Sequence, residues 1–216
     1  MLSDYLAFFG ELPSSFKEIG SVIPSSPFLV KKLLTAMPQS SRTPSGKGRR
    51  ILEVGPGTGA LTKPILDDLT PEDEFVLYEK NEGFAQYIAK LIKAKNGSAQ
   101  NVKLIHGDIR DLGVNPEELK FDVIFCGLPF TNFEPDVVEE IFELLKANLN
   151  NTGKLAFFGY LALPTIRQMY STPKEKQRIA KVVAHIEKLY SDATNISRER
   201  VFLNIPPAHG TIMSFS

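Results

Sequence analysis

The sequence predicts an α/β protein built on a parallel, doubly wound sheet. Three observations carry that expectation. Short apolar runs suited to buried strands alternate with stretches of helical periodicity across residues 51–160. The run Ile51-Leu52-Glu53-Val54 passes straight into Gly55-Pro56-Gly57-Thr58-Gly59, a turn whose glycines permit φ > 0 and let a ligand approach the backbone closely. Acidic residues stand at the ends of the strands that follow, where open α/β sheets place their ligands.

Taken in order, residues 1–19 place Leu2, Tyr5, Leu6, Phe9, Leu12 and Phe16 at helical spacing. Such an amphipathic segment packs on a domain as a lid or lies in a membrane interface. Ser26-Pro27 reads as a helix start, a hydroxyl cap followed by proline in the first turn, with the helix running to about Met37. Residues 40–50 are polar, with Pro44, Gly46 and Gly48, and read as a loop. Residues 1–50 are thus expected to be an N-terminal helical extension and 51–216 one domain. After the glycine turn come a helix at 61–69, a strand at 75–79 and a helix at 82–95. A strand at 101–106, a strand at 121–126, a helix at 135–149 and a strand at 155–160 follow. The last third supplies a basic helix at 173–190, then strands at 198–205 and 211–215 around Pro206-Pro207-Ala208-His209-Gly210.

Composition bounds the function. A chain of 216 residues, 43% hydrophobic and 23% charged, suits one soluble globular core. The single cysteine, Cys126, excludes an intrachain disulfide and suits a reducing compartment. One cysteine and three scattered histidines form no metal-ligand cluster, so no metal site is expected. The net charge is zero but uneven. Residues 1–50 carry seven Lys/Arg against three Asp/Glu, residues 51–159 ten against eighteen, and residues 160–216 eight against four. Basic flanks around an acidic centre could meet an anionic surface, membrane or nucleic acid. No apolar run approaches the roughly 20 residues needed to span a bilayer, and no signal peptide is evident.

The chemistry-bearing residues line up at strand ends. Glu53 stands two residues before the first glycine, where a carboxylate would receive a ligand ammonium or hydrogen-bond the turn. Glu79 lies 20 residues beyond Gly59, the spacing at which an acid accepts both ribose hydroxyls. Gly107-Asp108-Ile109 leaves the third strand, with Asp108 set to receive an adenine amino group and Ile109 to cover the ring. Cys126-Gly127-Leu128-Pro129-Phe130 leaves the fourth. Together these point to an adenine nucleoside. A dinucleotide oxidoreductase also fits Gly55-x-Gly57-x-x-Ala60, but it has no use for Asp108 or Leu128-Pro129-Phe130.

In combination, Glu53 to Gly59, Glu79 and Gly107 to Ile109 resemble the class I S-adenosylmethionine-dependent methyltransferases. The resemblance implies a Rossmann-like seven-stranded sheet with an antiparallel last strand, and S-adenosyl-L-methionine as cofactor. It implies that Glu53, Gly55, Gly57, Thr58, Gly59, Glu79, Lys80, Asp108, Ile109, Gly127 and Leu128 surround that cofactor. Within the superfamily the chain is more specifically similar to bacterial phospholipid N-methyltransferases. Ile19 to Ser26, Gly127 to Phe130 and Val201 to Ala208 carry that similarity. It implies methylation of phosphatidylethanolamine toward phosphatidylcholine by a cytoplasmic enzyme bound peripherally to the inner face of the membrane. The partners would then be anionic phospholipids and the phospholipid substrate.

Two departures stand out. The family's serine before Leu-Pro is Gly127 here, and the N-terminal helix has few lysines. Ribosomal-RNA adenine N6-dimethyltransferases share the Leu-Pro-Phe stretch but place an asparagine where Gly127 stands and add a C-terminal helical domain, which counts against RNA. A non-catalytic methyltransferase-fold binding module is the other alternative. Phe130, Phe133 and Tyr160 are candidates to face the transfer centre, where aromatic rings stabilise cations. Tyr5 and Tyr160 are candidates for a proton relay. Arg167, Lys174, Lys176, Arg178 and Lys181 are candidates to rest on lipid phosphates.

Overall fold

The computed structural model describes residues 26–39, 48–95, 101–160, 172–204 and 207–215, with the side chain of Tyr160 left out. Residues 1–25 with Tyr5, and residues 161–171 with Arg167, lie outside the described residues.

The first described helix, α1 (Pro27–Leu34), begins as its sequence predicts: the Ser26 hydroxyl accepts from the Leu29 N–H at 3.3 Å and Pro27 opens the first turn. It ends at Leu34 rather than Met37, with Thr35 to Met37 in a turn. Its Leu29, Val30 and Leu33 are buried in the same core as Phe125, Ala156, Ala208 and Ile212 of the sheet.

The elements that follow are β1 (Arg50–Val54), α2 (Thr62–Asp68), β2 (Glu74–Glu79), α3 (Glu82–Ala94), β3 (Val102–His106), β4 (Phe121–Cys126), α4 (Pro135–Ala147), β5 (Leu149–Tyr160), α5 (Pro173–Asp192), β6 (Asn195–Val201) and β7 (Ala208–Ser214). The strands form one seven-stranded sheet in the order β3-β2-β1-β4-β5-β7-β6. β1 to β5 pair in parallel, and β7 runs antiparallel to both β5 and β6. Helices cover both faces. One core joins Leu52, Val54, Ile124, Phe157 and Met213 to α4 and α5; the other joins Ile51, Phe75, Leu77 and Phe125 to α1, α2 and α3. The parallel strands are buried on both faces, which is why they read as continuous apolar runs.

Three strands, β5, β6 and β7, depart from expectation by more than one residue, each for a tertiary reason. β5 starts six residues early, at Leu149, because Asn148 stops α4. The fully buried Asn148 side chain accepts from Asn115 N–H at 2.9 Å and donates to the Gly113 carbonyl at 2.8 Å, fastening the 113–115 loop to the helix end. β6 covers Asn195–Val201 rather than 198–205, and Phe202 to Asn204 turn away because the Asn204 side-chain oxygen accepts from Ser26 N–H at 2.8 Å. β7 begins at Ala208, inside the stretch expected to be a loop, because Ala208, His209 and Gly210 pair with Tyr160, Gly159 and Phe158 of β5. No helix among the described residues is long and apolar enough to cross a membrane.

Candidate active site

The strand order reverses between β1 and β4, so the crevice of this sheet lies at their carboxyl ends. The turn after β1 is built as glycine demands: Gly55, Gly57 and Gly59 have φ of 68°, 54° and 74°. The turn is pinned from three sides. Gly55 N–H donates to the Tyr78 carbonyl at 2.8 Å, Gly59 N–H to the Pro56 carbonyl at 2.9 Å, and Gly57 N–H to Glu79 Oε2 at 3.0 Å. Thr58 is buried within it.

Glu79 thus ties the end of β2 to the turn after β1. Its Oε1 accepts from Asn81 N–H at 2.8 Å. Burial raises its pKa, opposed by the N–H bonds from Asn81 and Gly57. These bonds leave the carboxylate acceptor capacity for a ligand hydroxyl.

Glu53 sits one layer deeper, at 2% exposure, and bonds neither the turn's N–H groups nor open space. It accepts from the Thr62 hydroxyl at 2.8 Å and so fixes the start of α2 beneath the turn. Burial pushes its carboxyl up to about 8, with the Thr62 bond opposing and the Glu79 charge adding.

Asp108 caps the short 3-10 turn Ile109–Leu112 by accepting from Arg110 N–H at 3.1 Å. It is paired with Arg110 Nη2 at 2.9 Å and with Lys80 Nζ at 3.0 Å. Hydrogen bonds from Arg110 hold its carboxyl well below the usual carboxylate range. An incoming amine would compete with these two cations. Ile109 beside it is buried.

The loop after β4 crosses the turn at very short range. Gly127 N–H donates to the Val54 carbonyl at 2.8 Å, and a Cβ on Gly127 would lie 2.5 Å from the Gly55 carbonyl oxygen. A Cβ on Gly55 would meet Leu128 Cδ2 at 2.9 Å. Gly127 is therefore more than a missing serine or asparagine, because this backbone has no room for a side chain. Cys126 is buried, and burial pushes its thiol up to about 12, far from a reactive thiolate.

The expected aromatic wall divides. Phe130 is 4% exposed and packed in the core, its ring centroid 4.3 Å from Phe142 and 6.3 Å from Phe157. Its ring is buried among other rings. Phe133 is partly buried against it at 6.5 Å. Tyr160 pairs through its backbone with Ala208.

Arg178, expected on a lipid surface, is committed elsewhere. It pairs with Glu175 at 2.6 Å, donates to the Thr131 carbonyl at 2.8 Å and bonds the Phe133 carbonyl. It thereby clamps the 130–133 segment to α5. Its spacing from Glu175 was visible in the sequence, but its carbonyl partners, some 45 residues away, were not. Lys174, Lys176 and Lys181 on the same helix are exposed.

His209, which the sequence did not single out, lies at the carboxyl end of β5 opposite Gly159. Its Nε2 is 3.2 Å from Arg198 Nη2, and its buried Nδ1 has no hydrogen-bond partner among the described residues. Burial, reinforced by the Arg198 charge, lowers its pKa to about 4, so the imidazole is neutral at pH 7. Only a spatial neighbour such as Arg198 could have drawn attention to it. No cluster of metal-ligating residues occurs among the described residues.

This strand order with an antiparallel β7, the glycine turn after β1 and an acid closing β2 define a class I methyltransferase arrangement. Comparison with known proteins agrees. Residues 51–153 match the methyltransferase domain family. The chain is 25% identical over 210 residues to an ornithine lipid N-methyltransferase of Singulisphaera acidiphila, covering 96% of this chain and 94% of that protein. It is 29% identical over 127 residues to a demethylmenaquinone methyltransferase of Staphylococcus aureus, covering 58% of this chain and 49% of that one. The O-methyltransferase TomG of Streptomyces achromogenes, solved in complex with S-adenosylmethionine, superposes with a TM-score of 0.59 at 18% identity, covering 96% of this chain and 98% of that one. The protein is an S-adenosylmethionine-dependent methyltransferase.

Proposed function

We propose that the enzyme methylates the amine of a membrane-lipid headgroup, with phosphatidylethanolamine as the acceptor read from the sequence, at the inner face of the membrane. The observation that carries this reading is the similarity to a lipid N-methyltransferase along almost the whole of both chains. A match confined to the cofactor half would speak only for the fold.

The residues present suit the cofactor. Three positive-φ glycines shape the turn against which a nucleoside would lie, Glu79 offers its remaining acceptor capacity to the ribose, and Ile109 and Leu128 supply apolar cover. When bound, S-adenosylmethionine supplies an electrophilic methyl group on a sulfonium centre. The protein's part is alignment of the amine with the S–CH₃ bond, the contribution that positioning makes to bimolecular reactions. Rigidity serves that end: Arg178 holds the segment after Pro129, Gly127 and Gly55 lock two loops together, and Glu53 with Thr62 fixes the floor. The amine must reach the site unprotonated.

The test is transfer of labelled methyl from S-adenosylmethionine to vesicles of phosphatidylethanolamine, to vesicles containing ornithine lipid, and to ribosomal RNA. Label in lipid is expected; label in RNA alone overturns the reading. Replacement of Glu79 by alanine is expected to weaken cofactor binding by roughly 5–150-fold, the 1–3 kcal/mol of a lost buried hydrogen bond to a charged group. Calorimetry measures it, and an unchanged Kd would remove Glu79 from the site.

A further inference from the structure

Large apolar side chains are exposed at few places among the described residues, and Phe28, Phe202 and Leu203 share one corner at 52%, 67% and 66% exposure. Phe28 is in the first turn of α1, and Phe202 and Leu203 form the turn that leaves β6. The buried bond from Ser26 N–H to the Asn204 side chain at 2.8 Å joins these two segments. The corner's position in the sheet matters. β6 and β5 both run antiparallel to β7, so Val201 ends at the same edge as Val54, Glu79 and Cys126, the carboxyl edge where the crevice opens.

Cations stand on the segments that form and flank this corner. Lys31 follows Phe28 on α1, Arg200 precedes the turn, and Lys174 and Lys176 open α5. All four are exposed, and none has an ion-pair partner among the described residues. Of the nearby acids, Glu199 pairs with Lys32 and Glu175 with Arg178 at 2.6 Å, while Glu134 and Asp136 lie exposed at the start of α4. An apolar tip amid unopposed cations suits an anionic bilayer, in which apolar side chains sink below the headgroups while lysine and arginine meet phosphates. It suits a protein partner poorly. A stable protein interface buries about 800 Å² on each side, and three side chains at a convex turn do not supply that.

We propose that the turn after β6, with Phe28 beside it, is a membrane-docking tip. Phe202 and Leu203 enter the interfacial layer of an anionic leaflet, Lys31 and Arg200 rest on lipid phosphates, and the carboxyl edge of the sheet is thereby turned toward the lipid. The proposal rests on the lipid-acceptor reading, and it assigns docking to a surface distinct from the segment 1–19.

The chain contains no tryptophan, so Phe202→Trp creates a single reporter. Added to vesicles of phosphatidylethanolamine and phosphatidylglycerol, this variant is expected to show a blue-shifted emission that brominated lipid quenches. Emission unchanged by vesicles overturns the proposal. The full-chain double variant Phe202→Ser with Leu203→Ser is expected to co-sediment with the same vesicles at least about tenfold less, given the apolar area withdrawn. Its cofactor Kd should stay within about twofold of the parent, which reports an intact fold. Wild-type partitioning in the double variant overturns the proposal, as does a loss of self-association in place of a loss of vesicle binding. Methyl transfer to lipid dispersed in detergent micelles should survive the double substitution. Failure of transfer to any lipid, while the tryptophan reporter still inserts, would strike the acceptor reading and leave the tip standing.

Discussion

Replacing Arg49 by methionine is expected to lower the stability of the fold by about 3–5 kcal/mol, the cost of leaving a buried charge without its partner. Arg49 has a side chain only 4% exposed, and Asp73, its partner, is fully buried. The guanidinium meets Asp73 Oδ2 at 2.6 Å, Asp68 Oδ2 at 2.6 Å and the Asp68 carbonyl at 2.7 Å, and the Arg49 N–H meets Asp73 Oδ1 at 2.6 Å. One side chain therefore binds the entrance of β1 to the end of α2 and the start of β2. Urea denaturation measures the loss; a change below about 1 kcal/mol would show that the network is dispensable. The difference should depend on pH. Burial alone would raise the Asp73 carboxyl, but the bonds from Arg49 and Thr70 hold it below its ordinary value. A depressed folded pKa means that the pairing contributes fully above the unfolded value near pH 4 and is lost as pH falls through the folded value. The gap between parent and variant should accordingly be full at neutral pH and shrink in acid. Pairing Arg49→Met with Asp73→Asn should recover part of the loss.

Gly127→Asn is expected to weaken cofactor binding by at least about tenfold and to lower stability by about 1–3 kcal/mol, the usual cost of overpacking. Gly127 has no positive φ, so the obstacle is space alone. The first side-chain atom would fall 2.5 Å from the Gly55 carbonyl oxygen and 3.4 Å from that of Val54. Both are backbone atoms that cannot swing aside, and Gly55 opens the turn on which the cofactor is expected to lie. Calorimetry with S-adenosylmethionine, alongside thermal unfolding, checks both effects. Unaltered binding in the variant would show that the two loops separate easily. A gain of transfer to RNA would be a stronger rebuttal, since an asparagine here is what the RNA enzymes are expected to use.

Much of the architecture was legible because local chemistry and global packing agree here. The strand Ile51 to Val54 with its glycine turn, and helix starts such as Ser26-Pro27, depend on neighbours in sequence, and the structure places them as read. The helix expected at 61–69 is trimmed by one residue at each end, because its first turn belongs to the glycine loop. What was illegible depends on distant partners. The basic residues of α5 look alike in sequence, yet Arg178 is taken by two carbonyls after β4 while Lys174 and Lys176 stay in solvent. Phe130 looked like a wall for the methyl centre because it follows a strand end. Its ring goes into the core because Phe142 and Phe157 converge on that point.

The sequence by itself determined the class of enzyme and its cofactor. A glycine turn and an acid at a set spacing are properties of one βαβ unit, and a strand-to-helix turn needs nothing beyond it. Tertiary structure alone decided three things. It made Glu53 a buried carboxyl bonded to Thr62, where burial raises its pKa, and it forbade a side chain at Gly127 because another loop's carbonyl oxygen occupies the space. It also joined the start of α1, which carries Phe28, to the turn of Phe202 and Leu203 from the far end of the chain, through one buried bond from Ser26 to Asn204. Each of these turns on which distant atoms meet, and that is set by how the helices pack on the sheet.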